Sequence, residues 1–81
     1  MKKLLGKPRK MYNTDTASIV GMRRGGSGES KFKEILYQTT RGDYFIHGNG
    51  GELTKWARGE NLVEISGEAL KYWLRQTGVT Q

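Results

Sequence analysis

The 81-residue chain has no cysteine, a single proline (Pro8), a single histidine (His47) and no apolar run longer than two or three residues. Without cysteine there is no disulfide and no thiolate chemistry, and a reducing compartment fits. One histidine rules out metal sites built on the usual nitrogen and sulfur ligands. Apolar runs this short exclude a membrane-spanning helix. The opening residues Met1-Lys2-Lys3-Leu4-Leu5-Gly6 resemble a secretion signal only until the two leucines end, so cytoplasmic residence is expected. Acid is scarce too, but only in one part of the chain. Residues 1–33 hold nine Lys or Arg against Asp15 and Glu29, nine less two giving +7. Residues 34–81 hold five basic and six acidic side chains, giving −1, so the whole net charge of +6 lies in the first two-fifths. A segregated positive field points to an anionic partner, with nucleic acid the commonest choice.

A chain of this length buries about 60–65% of its extended surface, which leaves room for one core. Eight aromatic residues offset a hydrophobic content of only 35%. The expectation is a thin core, stable by something in the lower half of the roughly 5–15 kcal/mol range, which a homodimer interface would supplement.

Residues 1–10 hold five basic side chains, no acid and the proline, and read as a flexible basic arm preceding a single α+β domain over 11–81. Asn13-Thr14-Asp15-Thr16 reads as a polar turn and residues 17–22 as a strand. Residues 24–30, three of them glycine, read as a mobile loop. Residues 32–39 and 44–47 form β-prone runs around Thr40-Arg41-Gly42-Asp43, a hairpin whose turn uses Gly42 at positive φ. Alternation puts Phe32, Leu36 and Gln38 on one face and Ile35 and Tyr37 on the other. A hairpin apolar on both faces lies mid-structure or under a helix. Gly48-Asn49-Gly50-Gly51 is expected to break the strand. Residues 61–65 read as a last strand. Ser66 as cap, Glu68 in the first turn, the stripe Leu70, Trp73, Leu74, Thr77 and the closing Arg75 and Gly78 predict a C-terminal helix anchored by Trp73. The expected fold is a small, mostly antiparallel sheet of three to five strands with that helix packed on it.

The chemistry-bearing patterns are few. On a strand His47 and Asp43 stand about 13 Å apart, too far to share an ion, and Glu52 reaches His47 only through loop closure. Residues 21–31 contain no GxxxxGK[ST], and Gly25-Gly26-Ser27-Gly28-Glu29 lacks the final glycine of a nucleophile elbow. No enzyme, metal or cofactor is expected. The basic residues are more informative. Lys7, Arg9 and Lys10 of the arm, Arg23 and Arg24 at a strand-to-loop junction, and Lys31 and Lys33 on the hairpin would make one continuous surface for nucleic acid or a partner. Tyr37 or Tyr44, if exposed, would stack on bases; in a domain this small both rings are needed inside.

Tyr12-Asn13-Thr14-Asp15-Thr16-Ala17, Leu36-Tyr37-Gln38-Thr39, Gly42-Asp43-Tyr44-Phe45-Ile46-His47-Gly48-Asn49-Gly50-Gly51, Leu53-Thr54-Lys55-Trp56-Ala57 and Ala69-Leu70-Lys71-Tyr72-Trp73-Leu74 resemble the pattern of a family of small proteins from bacterial mobile elements and phages. The likeness covers residues 11–75 and leaves out the basic arm and the Arg23-Arg24 segment. It implies an accessory or host-interference role, a setting that includes anti-CRISPR proteins, and transfers no catalytic residue. Two functions follow as expectations. One is a non-enzymatic protein that docks on a host nucleoprotein defence complex and blocks it. The other is direct DNA or RNA binding through the arm and the Arg23/Arg24 segment. The basic balance argues against mimicry of DNA.

Overall fold

The computed structural model describes residues 1–76. Its four-stranded antiparallel sheet has the order β3 (Ser18–Gly25), β4 (Phe32–Gln38), β5 (Tyr44–Gly50) and β6 (Asn61–Ile65). A separate hairpin, β1 (Lys2–Leu5) with β2 (Lys10–Asn13), packs on one face. Helix α1 (Gly67–Gln76) packs on the other. The α+β class with a C-terminal helix on an antiparallel sheet is therefore what the chain adopts.

The central strands β4 and β5 are apolar on both sides because both sides are covered. Tyr37, Phe45 and Leu62 meet Tyr12 and Leu5 of the hairpin on one face. The ring of Phe45 stacks on Tyr37 at 5.1 Å and meets Tyr12 at 5.2 Å in a tilted arrangement. Leu36 and Ile46 meet Trp73 of α1 and Trp56 of the 51–60 connection on the other face. Apolar burial on both faces of one thin sheet is how so few hydrophobic residues make a core. As the helical stripe requires, Trp73 is the helix's buried anchor, with Leu70 and Leu74 beside it. Glu68 lies in the first turn and Arg75 in the last. Thr77 and Gly78, expected to end the stripe and the helix, lie outside the described residues.

Three expectations are corrected. The segment 1–10 is not a loose arm leading to a domain that begins at residue 11. Its first strand pairs with β2 from Lys2↔Asn13 to Leu5↔Lys10, and Leu5 enters the core. Pro8 lies in the turn between these strands, where it removes no ladder hydrogen bond. Residues 24–30 are not a featureless loop: β3 continues through Gly25, and a turn of 3-10 helix spans Gly28–Ser30. There the Ser30 hydroxyl donates to the Ser27 carbonyl at 2.8 Å and accepts from the Ser27 N–H at 3.2 Å. Finally, Gly48 does not break β5, which runs to Gly50.

The reason for a glycine inside a central strand is steric. A Cβ on Gly48 would overlap the indole of Trp56. Successive turns over residues 51–60, with Thr54 accepting the Trp56 N–H at 3.2 Å, bring that indole down onto the strand. Gly42 has the positive φ (+93°) that the β4–β5 turn demands. Gly48→Ala should therefore cost roughly 1–3 kcal/mol by forcing Trp56 outward. A urea titration followed by tryptophan fluorescence checks this, and an unchanged midpoint would contradict it.

Candidate polyanion-binding site

The fold sorts the seven basic residues singled out by the sequence into three environments, not one continuous surface. Lys7 and Arg9 are exposed in the β1–β2 turn. Lys10 follows them and pairs with Asp43 at 3.4 Å. Arg41 pairs with the same carboxylate at 3.0 Å, and its hydrogen bond heads the causes that hold Asp43 below the ordinary aspartate range. This end of the molecule is cationic but already carries its own anion.

Arg23 is half-buried and held by an acid of the core. The β3–β4 register places it directly opposite Glu34, on the helix side of the sheet. Glu34 is the buried charged residue of the core, 2% exposed. Trp73 Nε1–H donates to its Oε1 at 2.8 Å and Trp56 Nε1–H to its Oε2 at 2.9 Å. Arg23 Nη1 donates to Oε1 at 3.3 Å, and Lys55 Nζ stands 3.6 Å from Oε2. Burial pushes the Glu34 carboxyl up, but the two indoles, Lys55 and Arg23 together outweigh it and hold the group below the ordinary glutamate value. The Arg23 guanidinium also lies over the Phe32 ring at 4.9 Å. A groove of about 400 Å³ runs past these groups, lined by Arg23, Phe32, Glu34, Leu53, Lys55 and Trp56. Its two cations are spent on Glu34, so it has little to offer an anion.

Arg24, Lys31 and Lys33 behave differently. One residue beyond Arg23, Arg24 points to the opposite side of the sheet. It lies directly opposite Lys33, and Lys33 lies directly opposite Asn49 on β5. Like charges facing each other across strands are unfavourable by roughly 0.2–1 kcal/mol. All three cations are exposed and have no ion-pair partner among the described residues. They share the lining of a groove of about 380 Å³ with Asn49, Gly28 and Gly51. The Gly51 N–H donates to the Lys31 carbonyl at 2.8 Å and ties this corner together. Lys33 stands five positions along β4 from Gln38, which pairs with Tyr44 beside Asp43. That is about 16 Å of strand between this corner and the Lys10–Asp43 end.

Tyr37 and Tyr44 take the structural role, whereas Tyr72 on α1 is exposed. Tyr37 is buried and Tyr44 half-buried in the helix-side cluster. His47 is a half-buried strand residue, and its Nε2 lies 3.6 Å from Glu60, an acid that the spacing of Asp43 and Glu52 did not suggest. Among the described residues no three His, Asp or Glu side chains gather as metal ligands. No helix among them is long and apolar enough to cross a membrane. Glu34 was missed in the sequence although its parity with Phe32 and Leu36 points it inward. Two tryptophans, each needing a partner for its N–H, were the available signal.

Because the Glu34 pKa is depressed in the fold, its contribution to stability is complete above the ordinary glutamate range and is lost as pH falls through the lowered value. Glu34→Gln should accordingly be less stable than the parent at neutral pH, with the gap closing on acidification below about pH 4.5. Urea midpoints across that range measure it, and a gap independent of pH would contradict it. Comparison with protein families, curated proteins and solved structures finds no match for this chain.

Proposed function

We propose that the chain is a small non-enzymatic module that grips the phosphate backbone of nucleic acid through Arg24, Lys31 and Lys33. The observation that carries this reading is the unrelieved like-charge pairing of Arg24 with Lys33 across β3 and β4, with Lys31 on the same groove. An anion bridging the three would turn that repulsion into attraction, and exposed side chains pay little desolvation on contact. The ring at this corner, Phe32, is packed in the helix-side cluster with the Arg23 guanidinium over its face, so the corner is equipped for phosphates and not for stacking on bases. Recognition would be insensitive to sequence.

A second reading is that the protein docks on a host nucleoprotein defence complex and blocks it, in the manner of an anti-CRISPR protein. The motif likeness over residues 11–75 suggests this setting. One specific observation favours it: Leu4 and Met11 face each other on the outer side of the hairpin, 47% and 44% exposed, beside the cationic turn. Paired apolar side chains ringed by charge suit a protein surface. A pull-down from nuclease-treated host lysate that retains a specific protein would support this reading.

The first reading is tested by fluorescence anisotropy with a short labelled duplex. With three phosphate contacts, log K should fall by about 2.7 per decade of salt. The triple change Arg24→Gln/Lys31→Gln/Lys33→Gln should weaken binding at least tenfold, by roughly 1.4 kcal/mol or more, and flatten the salt dependence without lowering the melting temperature. The matched triple Lys7→Gln/Arg9→Gln/Lys10→Gln should do less. An absence of binding at low salt, or equal losses from both triples, would overturn the assignment.

A further inference from the structure

Among the described residues neither edge strand of the four-stranded sheet, β3 or β6, is hydrogen-bonded to a strand on its outer side, and β3 is the barer of the two. β6 has β1 beside it, but β3 has β4 on one side and no strand among the described residues on the other. Unpaired N–H and C=O groups on an edge template further pairing, and proteins usually blunt such edges with proline, charge or cover. β3 has eight residues, no proline and no acid, and its two cations lie together at one end. Its other half shows solvent Ile19 (64% exposed), Met22 (44%) and Val20 (36%).

The register explains why these apolar side chains come together. A bulge at Val20 resets the alternation, so Ile19 opposite Tyr37 and Met22 opposite Ile35 project to the same face although three apart. A strand with this pattern is complementary to itself when turned round. Ile19 then meets Met22 of the partner subunit, Met22 meets the partner's Ile19, and Val20 lies beside the two-fold axis. Arg24 falls opposite the partner's Ala17 and Arg23 opposite the partner's Ser18, so no like charges oppose each other.

We infer that a second copy of this chain pairs antiparallel along β3, joining two four-stranded sheets across an apolar seam of Ile19, Val20 and Met22. The interface is isologous, as a closed two-fold dimer requires. With the axis normal to the sheet, both copies present the same face. The two Arg24–Lys31–Lys33 corners then share one surface, six strand steps or about 20 Å apart. Only this last consequence rests on the phosphate-binding reading; the pairing stands without it.

Sedimentation equilibrium of the full chain, in enough salt to screen its net charge, tests the pairing. At about 100 μM the mass should be twice the 9.2 kDa of one chain. The double change Ile19→Lys/Met22→Lys should return it to one chain mass with an unchanged far-UV circular dichroism spectrum, since both side chains are exposed. In a cysteine-free background, Val20→Cys treated with diamide should give a disulfide-linked dimer, whereas Leu53→Cys, more open to solvent still, should not. A wild-type chain that remains monomeric would overturn the inference and leave the edge to a strand of another protein. A dimer that survives Ile19→Lys/Met22→Lys would overturn it as well. A dimer that binds no duplex would sink the phosphate reading and leave the pairing intact.

Discussion

Glu34 brings a full negative charge into the layer between sheet and helix, and four groups from three different places in the chain converge on it: Arg23 of β3, Lys55 and Trp56 of the 51–60 connection, and Trp73 of α1. A carboxylate left alone there would cost several kcal/mol. Each charge-assisted hydrogen bond offsets about 1.5–3 kcal/mol of that. The balance is favourable only while the donors stay in place, which makes the arrangement directional in a way that apolar burial is not. Trp73 fixes the rotation of α1, Trp56 fixes the 51–60 connection against Gly48, and Arg23 fixes the phase of β3. The hydrophobic residues around them supply most of the stabilisation, but they would tolerate other registers.

The phase of β3 decides which cations face outward. Arg23 and Arg24 are neighbours of identical chemistry, and the two-residue period of a strand sends them to opposite faces. Arg23 becomes part of the core's electrostatics. Arg24 is left beside Lys33, with Lys31 near by, on a rim to which no carboxylate among the described residues is paired. A charge-rich segment thus yields one structural cation and one binding cation from adjacent positions. The field of the molecule follows less from how many lysines and arginines it has than from which of them found an acid at home.

Much of the architecture was legible beforehand, because the signals were local. Aromatic and β-branched runs around Gly42 specify the β4–β5 hairpin, and the Leu70–Trp73–Leu74 stripe specifies the helix. The hairpin's two apolar faces correctly implied cover on at least one side. What the pattern did not show depends on contacts between distant segments. The β1–β2 pairing hides behind a composition typical of a disordered leader, since Lys2, Lys3, Lys7, Arg9 and Lys10 outweigh Leu4, Leu5 and Met11 in any local average. Gly48 looks like a strand breaker until the Trp56 indole is placed over it. For the candidate site, Arg24, Lys31 and Lys33 were among the residues chosen, but so were Arg23 and Lys10. Nothing in local sequence distinguishes a cation that will meet Glu34 or Asp43 from one that will not.

Exchanging each of the adjacent arginines separately, Arg23→Gln and Arg24→Gln, and recording melting temperature and duplex affinity for both, is the most direct measurement of this division. Arg23→Gln should lower the melting temperature while changing affinity little, and Arg24→Gln should lower affinity without lowering the melting temperature. If the two substitutions behaved alike in both measurements, Glu34 would not be sorting the cations, and the account built on it would be wrong.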